Sequence, residues 1–378
     1  MYLTKSKIQK YKQCQKQLWL SENKPTLDET SEISKIIMNQ GSEFGSLIKE
    51  NFSNVSDIKE INTKRAITET KHLIKLIVDE DKDAVIFEPA FSYADVIVRV
   101  DILEYVSKIK KWNITEVKSG NIFKKTDVKD HLLFDASIQY FVVKNNNIQI
   151  NNVYLGYPNR DFTLKEEFNY RGLLSLELVN LQVQNIYKDV ENLINEAFKN
   201  ISQKKEPNIK IGSHCNKPHS CSFINYCSKA EILPDEKIDT PIWYLAGSPT
   251  VKIVKNLMEK GYRDLSKVPS EFLKTDMHIK MKEVSQTKKN FIDKKLAQFL
   301  ENEPWPRYFL DYETISSPYP LFLGTKPGGR IPFQYSIHKW EQYKRVPSGF
   351  LLSCWLDALG LKIKVYKKKT EQPRRSSS

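Results

Sequence analysis

Two runs of β-branched and aromatic residues near position 100 restrict this chain more than any other feature. The first reads Arg99-Val100-Asp101-Ile102-Leu103-Glu104-Tyr105, and after a polar turn the second reads Trp112-Asn113-Ile114-Thr115-Glu116-Val117-Lys118-Ser119-Gly120. Such runs separated by a short polar stretch predict a β-hairpin. Side chains alternate faces along a strand, so Glu116 and Lys118 share one face. Asp101 lies inside the first run, with fourteen residues between it and Glu116. If the two strands are neighbours, two carboxylates and an ammonium converge. Carboxylates hold a hard divalent cation. A cation of that kind polarises a phosphate and lowers the pKa of its water, and a lysine can orient or deprotonate that water. Charged residues also flank many solvent-facing strands, so the pattern does not exclude an ordinary exposed hairpin.

The cysteines supply a second, independent pattern. The chain has 5 in 378 residues, and three of them form a C-x5-C-x5-C array at Cys215, Cys221 and Cys227. Cys14 lies far upstream and Cys354 far downstream. Four thiolates are a usual ligand set for a 4Fe–4S cluster and also suit zinc, with His214 and His219 as possible mixed ligands. Sparse cysteine and the lack of a secretory leader argue against a disulfide frame and for a cytoplasmic location. Four unrelated buried thiols are the plain alternative.

The D-x14-E-x-K arrangement resembles the PD-(D/E)XK nuclease signature. Together with one early cysteine and three late ones, it resembles the RecB-like nucleases that carry an iron–sulfur staple. These include the CRISPR-associated RecB-like exonucleases and the AddB-type helicase–nucleases. The spacing departs from many members, which use a tighter C-x2-C pair. Two further stretches, Leu3-Thr4-Lys5-Ser6-Lys7-Ile8-Gln9-Lys10-Tyr11 with Cys14 and Leu18-Trp19, and Phe309-Leu310-Asp311-Tyr312-Glu313-Thr314, are similar to the domain-of-unknown-function 2779 group. Its members join a RecB-like nuclease to a DnaQ-like exonuclease domain of RNase H fold.

That resemblance implies an α/β protein with a restriction-endonuclease-like core, a helical linker and a partial RNase H-like C-terminal piece. The corresponding boundaries are residues 1–230, 231–300 and 301–378. It implies that Asp101 and Glu116 bind magnesium or manganese and that Lys118 assists the water. Gln139 and Tyr140, on a helix over 131–144, match in type the Gln and Tyr that such nucleases place on the catalytic face. Cys14, Cys215, Cys221 and Cys227 would hold the 4Fe–4S cluster, with zinc as the alternative. Asp311 and Glu313 would be metal ligands of the first exonuclease motif. That fold needs further acids downstream, and the tail offers only Glu341, Asp357 and Glu371, so this domain reads as truncated or aberrant. RecB-like nucleases often carry a metal-binding histidine on an early helix. This chain has none before His72, leaving Glu43 and Glu88 as possible accessory carboxylates.

A net charge of +13 favours a polyanionic partner, most simply DNA, with single strands or ends as the expected form. Lysine-rich composition from an AT-rich genome would give the same excess without any binding. No apolar run approaches the roughly 18 residues of a membrane span. The reading is therefore a divalent-metal-dependent deoxyribonuclease. Its rivals are a non-catalytic nucleic-acid-binding relative and a redox-sensing iron–sulfur protein.

Periodicity and caps predict one helix over 4–20, a helix over 31–50 broken at Gly41 and Gly45, and another over 66–80. A strand region begins at 84–91, followed after the hairpin by a lysine-rich loop at 121–130. Later elements are a strand at 148–156, a helix at 178–200 and a polar linker at 233–241. A helix with a stop at Gly261 and a short second helix then fill 251–269.

Overall fold

The computed structural model describes residues 2–120, 130–231, 238–245, 250–340, 350–356 and 363–369. The chain forms two compact units. One is Met1–Glu231 with Ser316–Gly329, and the other is Ile232–Ile315 with Arg330–Ser378. The first break falls beside the expected boundary at 230. The second differs from expectation in two ways. The helical region after 231 belongs with the C-terminal strands, and residues 316–329 return to the first unit.

The first unit is mixed α/β. In chain order it contains β1 (Leu3–Thr4), α1 (Lys5–Gln13), α2 (Gln15–Asn23), α3 (Glu32–Leu47), β2 (Val55–Asp57) and α4 (Thr63–Glu80). Then come β3 (Ala84–Phe87), β4 (Ala90–Tyr93), β5 (Val96–Arg99), β6 (Ile102–Val106), β7 (Lys111–Val117) and α5 (Asp130–Lys144). It closes with β8 (Ile150–Pro158), β9 (Leu174–Leu178), α6 (Asn180–Ile201) and α7 (Ile224–Glu231). A six-stranded sheet has the order β2-β3-β6-β7-β8-β9, and a small second sheet runs β1-β5-β4. The hairpin predicted near residue 100 is β6–β7, antiparallel, with Ile102 opposite Thr115. Asp101 stands at a bend one residue before β6 rather than within a strand. β7 and β8 are parallel. Parallel neighbours need a long crossover, and α5 supplies it.

α5 is the pivot of this unit. Every residue from Leu132 to Val143 is buried. It touches β7 and β8 on one side and α6 on another. A helix buried all round is normally apolar, yet this one also buries Asp135, Ser137 and Gln139. Burying polar groups is costly unless they are paired. Ser137 is satisfied by the Leu133 carbonyl, 2.7 Å, whereas Asp135 and Gln139 reach across to Lys118 and Glu116 of the β7 end. Gly156 of β8 sits beside β7, where a Cβ would stand 3.0 Å from Leu174 and 3.1 Å from Thr115. A side chain here would require the Leu174 and Thr115 methyl groups to give way.

Two helix expectations need correction. The predicted 4–20 helix is split at Cys14, whose φ of −163° and ψ of 118° are extended. The Cys14 amide caps α1 by donating to the Lys10 carbonyl, 2.8 Å. The split turns the cysteine out of the helical line. α3, in contrast, runs unbroken through Gly41 and Gly45. Glycine in a helix interior costs only about 1 kcal/mol against alanine, and packing of Phe44 and Ile48, both fully buried, opposes that cost. The expected loop at 121–129 lies outside the described residues, as does most of the expected linker.

Residues 316–329 form a strap on the first unit. Gly324 N–H donates to the Leu164 carbonyl (2.8 Å), Leu164 N–H donates to Thr325 (3.2 Å), and the Tyr319 hydroxyl donates to Glu43 of α3. Tyr319 also packs beside Phe44, Phe87 and Leu173.

The second unit contains α8 (Thr250–Glu259), α9 (Asp276–Thr287), α10 (Lys294–Asn302), β10 (Arg307–Ser316), β11 (Arg330–Trp340), β12 (Phe350–Leu356) and β13 (Ile363–Lys369). Gly261, at φ +85°, ends the turn after α8 as the sequence predicts. Ile242, Ile253, Leu257, Leu265 and Val268 form a small core in this region. The strands make one sheet in the order β10-β11-β12-β13. Its β10 strand is exposed along nearly its whole length, including Tyr308, Phe309, Leu310 and Tyr312. No helix among the described residues is long and apolar enough to cross a membrane.

Candidate active site

The site assembles where β6 begins and β7 ends, under the middle of α5. The antiparallel register that pairs Ile102 with Thr115 carries Asp101 alongside Glu116. The Asp101 carboxylate accepts from the Val117 amide at 2.5 Å. Lys118 lies one residue past β7, and its amide continues the ladder to the Gly156 carbonyl, 2.8 Å. Its ammonium then stands 2.6 Å from Glu116 Oε1 and 2.7 Å from Asp135 Oδ2. Gln139 donates through Nε2 to Glu116 Oε2. The sequence residues Asp101, Glu116, Lys118 and Gln139 are therefore brought together.

Two members were not assigned from the sequence. Lys5, at the start of α1, places Nζ 2.6 Å from the same Glu116 Oε1. Asp135 holds Lys118 from α5. Asp135 and Gln139 are four residues apart on a helix and so share a face, a signal present in the sequence but shared with countless ordinary helices. Lys5 carried no signal, because it lies 111 positions from Glu116 and only the β1–β5 pairing brings it there.

The electrostatics are uneven. Glu116 is 1 % exposed. Burial would raise its pKa, but Lys5 and Lys118 outweigh burial and hold it well below the usual carboxylate range. Asp101 moves the other way, since burial and the charge of Glu116 push it well up. Burial also raises Asp135, against the pull of Lys118. Burial pulls Lys118 down, but Glu116 and Asp135 prevail and its pKa is raised. Lys5 is likewise raised, with Glu116 and Asp101 overcoming burial. Asp135 Oδ1 and Gln139 Oε1 are buried with no hydrogen-bond partner among the described residues.

Glu88 stands nearby in a left-handed turn, φ +56°, between β3 and β4. Its amide donates to the Asp101 carbonyl, 3.2 Å, and burial raises its pKa. Glu43 is exposed on α3 and takes the Tyr319 hydroxyl. Tyr140 departs from expectation. It faces α6, where its ring meets Tyr187 edge-on at 5.5 Å and Lys144 at 5.4 Å. It is one residue on from Gln139, so a helical step of about 100° carries it off the face that meets Glu116.

The four cysteines form a second locality. Cys14, Cys215, Cys221 and Cys227 line one recess with Gln17 and Phe223. None of the four is joined in a disulfide. Gln13 pins the end of α1 to this segment, donating to the His214 carbonyl (2.9 Å) and the His219 carbonyl (2.8 Å). The Cys221 amide donates to the Cys215 carbonyl, 2.7 Å. Burial raises the Cys221 thiol to about 11, with Cys215, Cys14 and Cys227 adding to the shift. Among the described residues, no three His, Cys, Asp or Glu side chains already stand in ligating geometry. The side chain of Cys354 lies outside the described parts of β12.

Asp311 and Glu313 lie on β10, both exposed. Asp311 accepts from its neighbour's amide, Tyr312 N, at 3.0 Å. Residues 308–372 match the family described as Domain of unknown function (DUF2779). The match supports the family assignment read from residues 309–314, and it spans nearly the whole β10–β13 sheet. It does not extend to residues 1–307, which hold Asp101, Glu116, Lys118 and the cysteine recess. No curated protein matches the chain.

Proposed function

We propose that the first unit is a divalent-metal-dependent nuclease that hydrolyses DNA phosphodiester bonds. The observation that carries this reading is the convergence of Asp101, Glu116 and Lys118 from the β6–β7 hairpin with Gln139 from α5. The carboxylates fit a hard cation in chemistry, because oxygen donors are what magnesium and manganese take. They also fit in electrostatics, because burial first and the charge of Glu116 second raise the pKa of Asp101, and a cation beside it would oppose both. Asp101 and Glu116 would hold the ion. Bound there, it would polarise the phosphate and acidify its water.

The remaining roles belong to the chain. Gln139 fixes the orientation of the Glu116 carboxylate through Oε2. Lys118 keeps its proton against Glu116 and Asp135, which favours a role in orienting water or steadying developing negative charge over service as a base. Asp135 anchors that ammonium from α5.

The four cysteines are proposed to hold a 4Fe–4S cluster, with zinc as the alternative. Their soft thiol donors suit either, and their shared recess joins the α1–α2 junction to α7 and the segment before it. The net charge of +13 agrees with a DNA partner.

The test uses the full chain with labelled single- and double-stranded DNA in magnesium or manganese. Cleavage is expected, and it should be lost in Asp101→Ala, Glu116→Ala and Lys118→Ala. A triple variant that cuts as fast as the parent would refute the hydrolase reading. Binding without cleavage by the parent would point to a non-catalytic DNA-binding relative.

A further inference from the structure

We propose that Lys5 is a DNA phosphate-contacting residue of this site, released to the substrate when a divalent cation takes Glu116. The inference rests on the nuclease reading and adds a residue to it.

Glu116 Oε1 carries two ammoniums at once, with Lys5 and Lys118 each at 2.6 Å. A carboxylate oxygen that turns to a metal ion cannot keep both. Lys118 has a second anchor in Asp135, 2.7 Å away. Among the described residues, Glu116 is the one hydrogen-bond and ion-pair partner of the Lys5 side chain. Lys5 is therefore the ammonium that loses its partner. Its side chain is 22 % exposed while Glu116 is 1 % exposed, so Lys5 occupies the solvent side of the pair, where a phosphate would arrive.

Lys5 is also held in place. Leu3 and Thr4 pair in parallel with Val96 and Ile97. Thr4 caps α1 by accepting from the Lys7 amide. Leu3 and Ile8, on either side, are fully buried. Its backbone is fixed before substrate binds, so ordering costs less than for a surface lysine. A lysine tied only to a carboxylate serves stability. One whose partner is claimed by a cation becomes an anion contact, and the two roles separate by their dependence on metal.

The experiment measures binding of the full chain to a fluorescent single-stranded oligonucleotide, with and without calcium, for the parent, Lys5→Met and Lys5→Arg. A charge-assisted hydrogen bond to phosphate predicts that Lys5→Met weakens binding about tenfold or more in calcium. Without divalent cation the change should be under about twofold, because Lys5 is then engaged by Glu116. The slope of log affinity against log salt in calcium should fall by about 0.7, the value for one single-strand phosphate contact. Lys5→Arg should retain most of the calcium-dependent binding. In magnesium, cleavage by Lys5→Met should fall chiefly in kcat/KM. Equal affinity of parent and Lys5→Met in calcium, or an equal loss with and without calcium, would overturn the proposal while leaving the nuclease reading intact. A parent that neither binds nor cuts DNA would overturn both.

Discussion

Removing Glu116 should destabilise the first unit, and the cost follows from its two ion pairs. Each ammonium lies 2.6 Å from Oε1. At an effective dielectric of about 20, one such pair has a gross attraction of ~6 kcal/mol. Most of that is offset by the desolvation of three charges. Breaking a buried pair by deleting one partner typically costs about 3–5 kcal/mol, because the remaining charge is left uncompensated. Lys5 and Lys118 are 22 % and 26 % exposed, so both can recruit water, which places Glu116→Ala near the lower end, about 3 kcal/mol. Lys118 retains Asp135, which limits the loss further. Glu116→Gln keeps the volume and an acceptor for Gln139, and its cost should be roughly half as large. Hydrogen exchange of peptides covering 111–117 and 130–144 reads this locally, and urea unfolding reads it for the unit as a whole. The contribution also depends on pH. A carboxylate whose folded pKa is depressed stabilises above its unfolded value, about 4.3. It loses that stabilisation as the pH falls through the lowered folded value. If Glu116→Ala costs less than about 1 kcal/mol at neutral pH by both measurements, the ion-pair cluster is not the one described.

Asp101 should act in the opposite direction. Its folded pKa is raised, so the folded state holds its proton longer and stability falls as pH rises from about 3.9 towards the folded value. Asp101→Asn keeps an acceptor for the Val117 amide and removes that fall, so its stability at pH 7 should exceed the parent's in urea titrations while DNA cleavage is lost. Gln139→Ala should reduce cleavage at least tenfold, whereas Tyr140→Phe should leave it within about twofold because Tyr140 faces α6; comparable losses in both would refute the assignment of faces on α5. Elemental analysis of anaerobically purified protein should find iron, or zinc, and Cys14→Ser should lower that content and the melting temperature together; metal-free parent protein of full stability would contradict this. Asp311→Ala combined with Glu313→Ala should not change cleavage, since both side chains are exposed on β10. Loss of an activity that Asp101→Ala leaves untouched would show a working second site.

The hairpin, its carboxylates and the four cysteines were legible because their signals are local. A period of two fixes which side chains share a strand face, and the C-x5-C-x5-C spacing survives any fold. Asp101, Glu116 and Lys118 needed only β6 and β7 to be neighbours, and a short polar turn makes neighbours of adjacent strands. The helix over α5 was also readable, though not which of its faces meets the sheet. α5 is apolar almost all round, so no amphipathic stripe separates the face of Gln139 from that of Tyr140. The interruption at Cys14 and the continuity of α3 through its glycines were settled by caps and by packing of Phe44 and Ile48, which outweigh single-residue propensity.

Tertiary structure alone decided the second ammonium. Lys5 meets Glu116 because Leu3 and Thr4 add a parallel strand beside Val96 and Ile97, a pairing that nothing in residues 1–13 announces. The return of residues 316–329 to the first unit has the same origin, in backbone hydrogen bonds to Leu164 and the hydroxyl of Tyr319. Contacts between residues more than a hundred positions apart depend on how whole elements pack. The sequence determines that packing only collectively, so no single motif carries it.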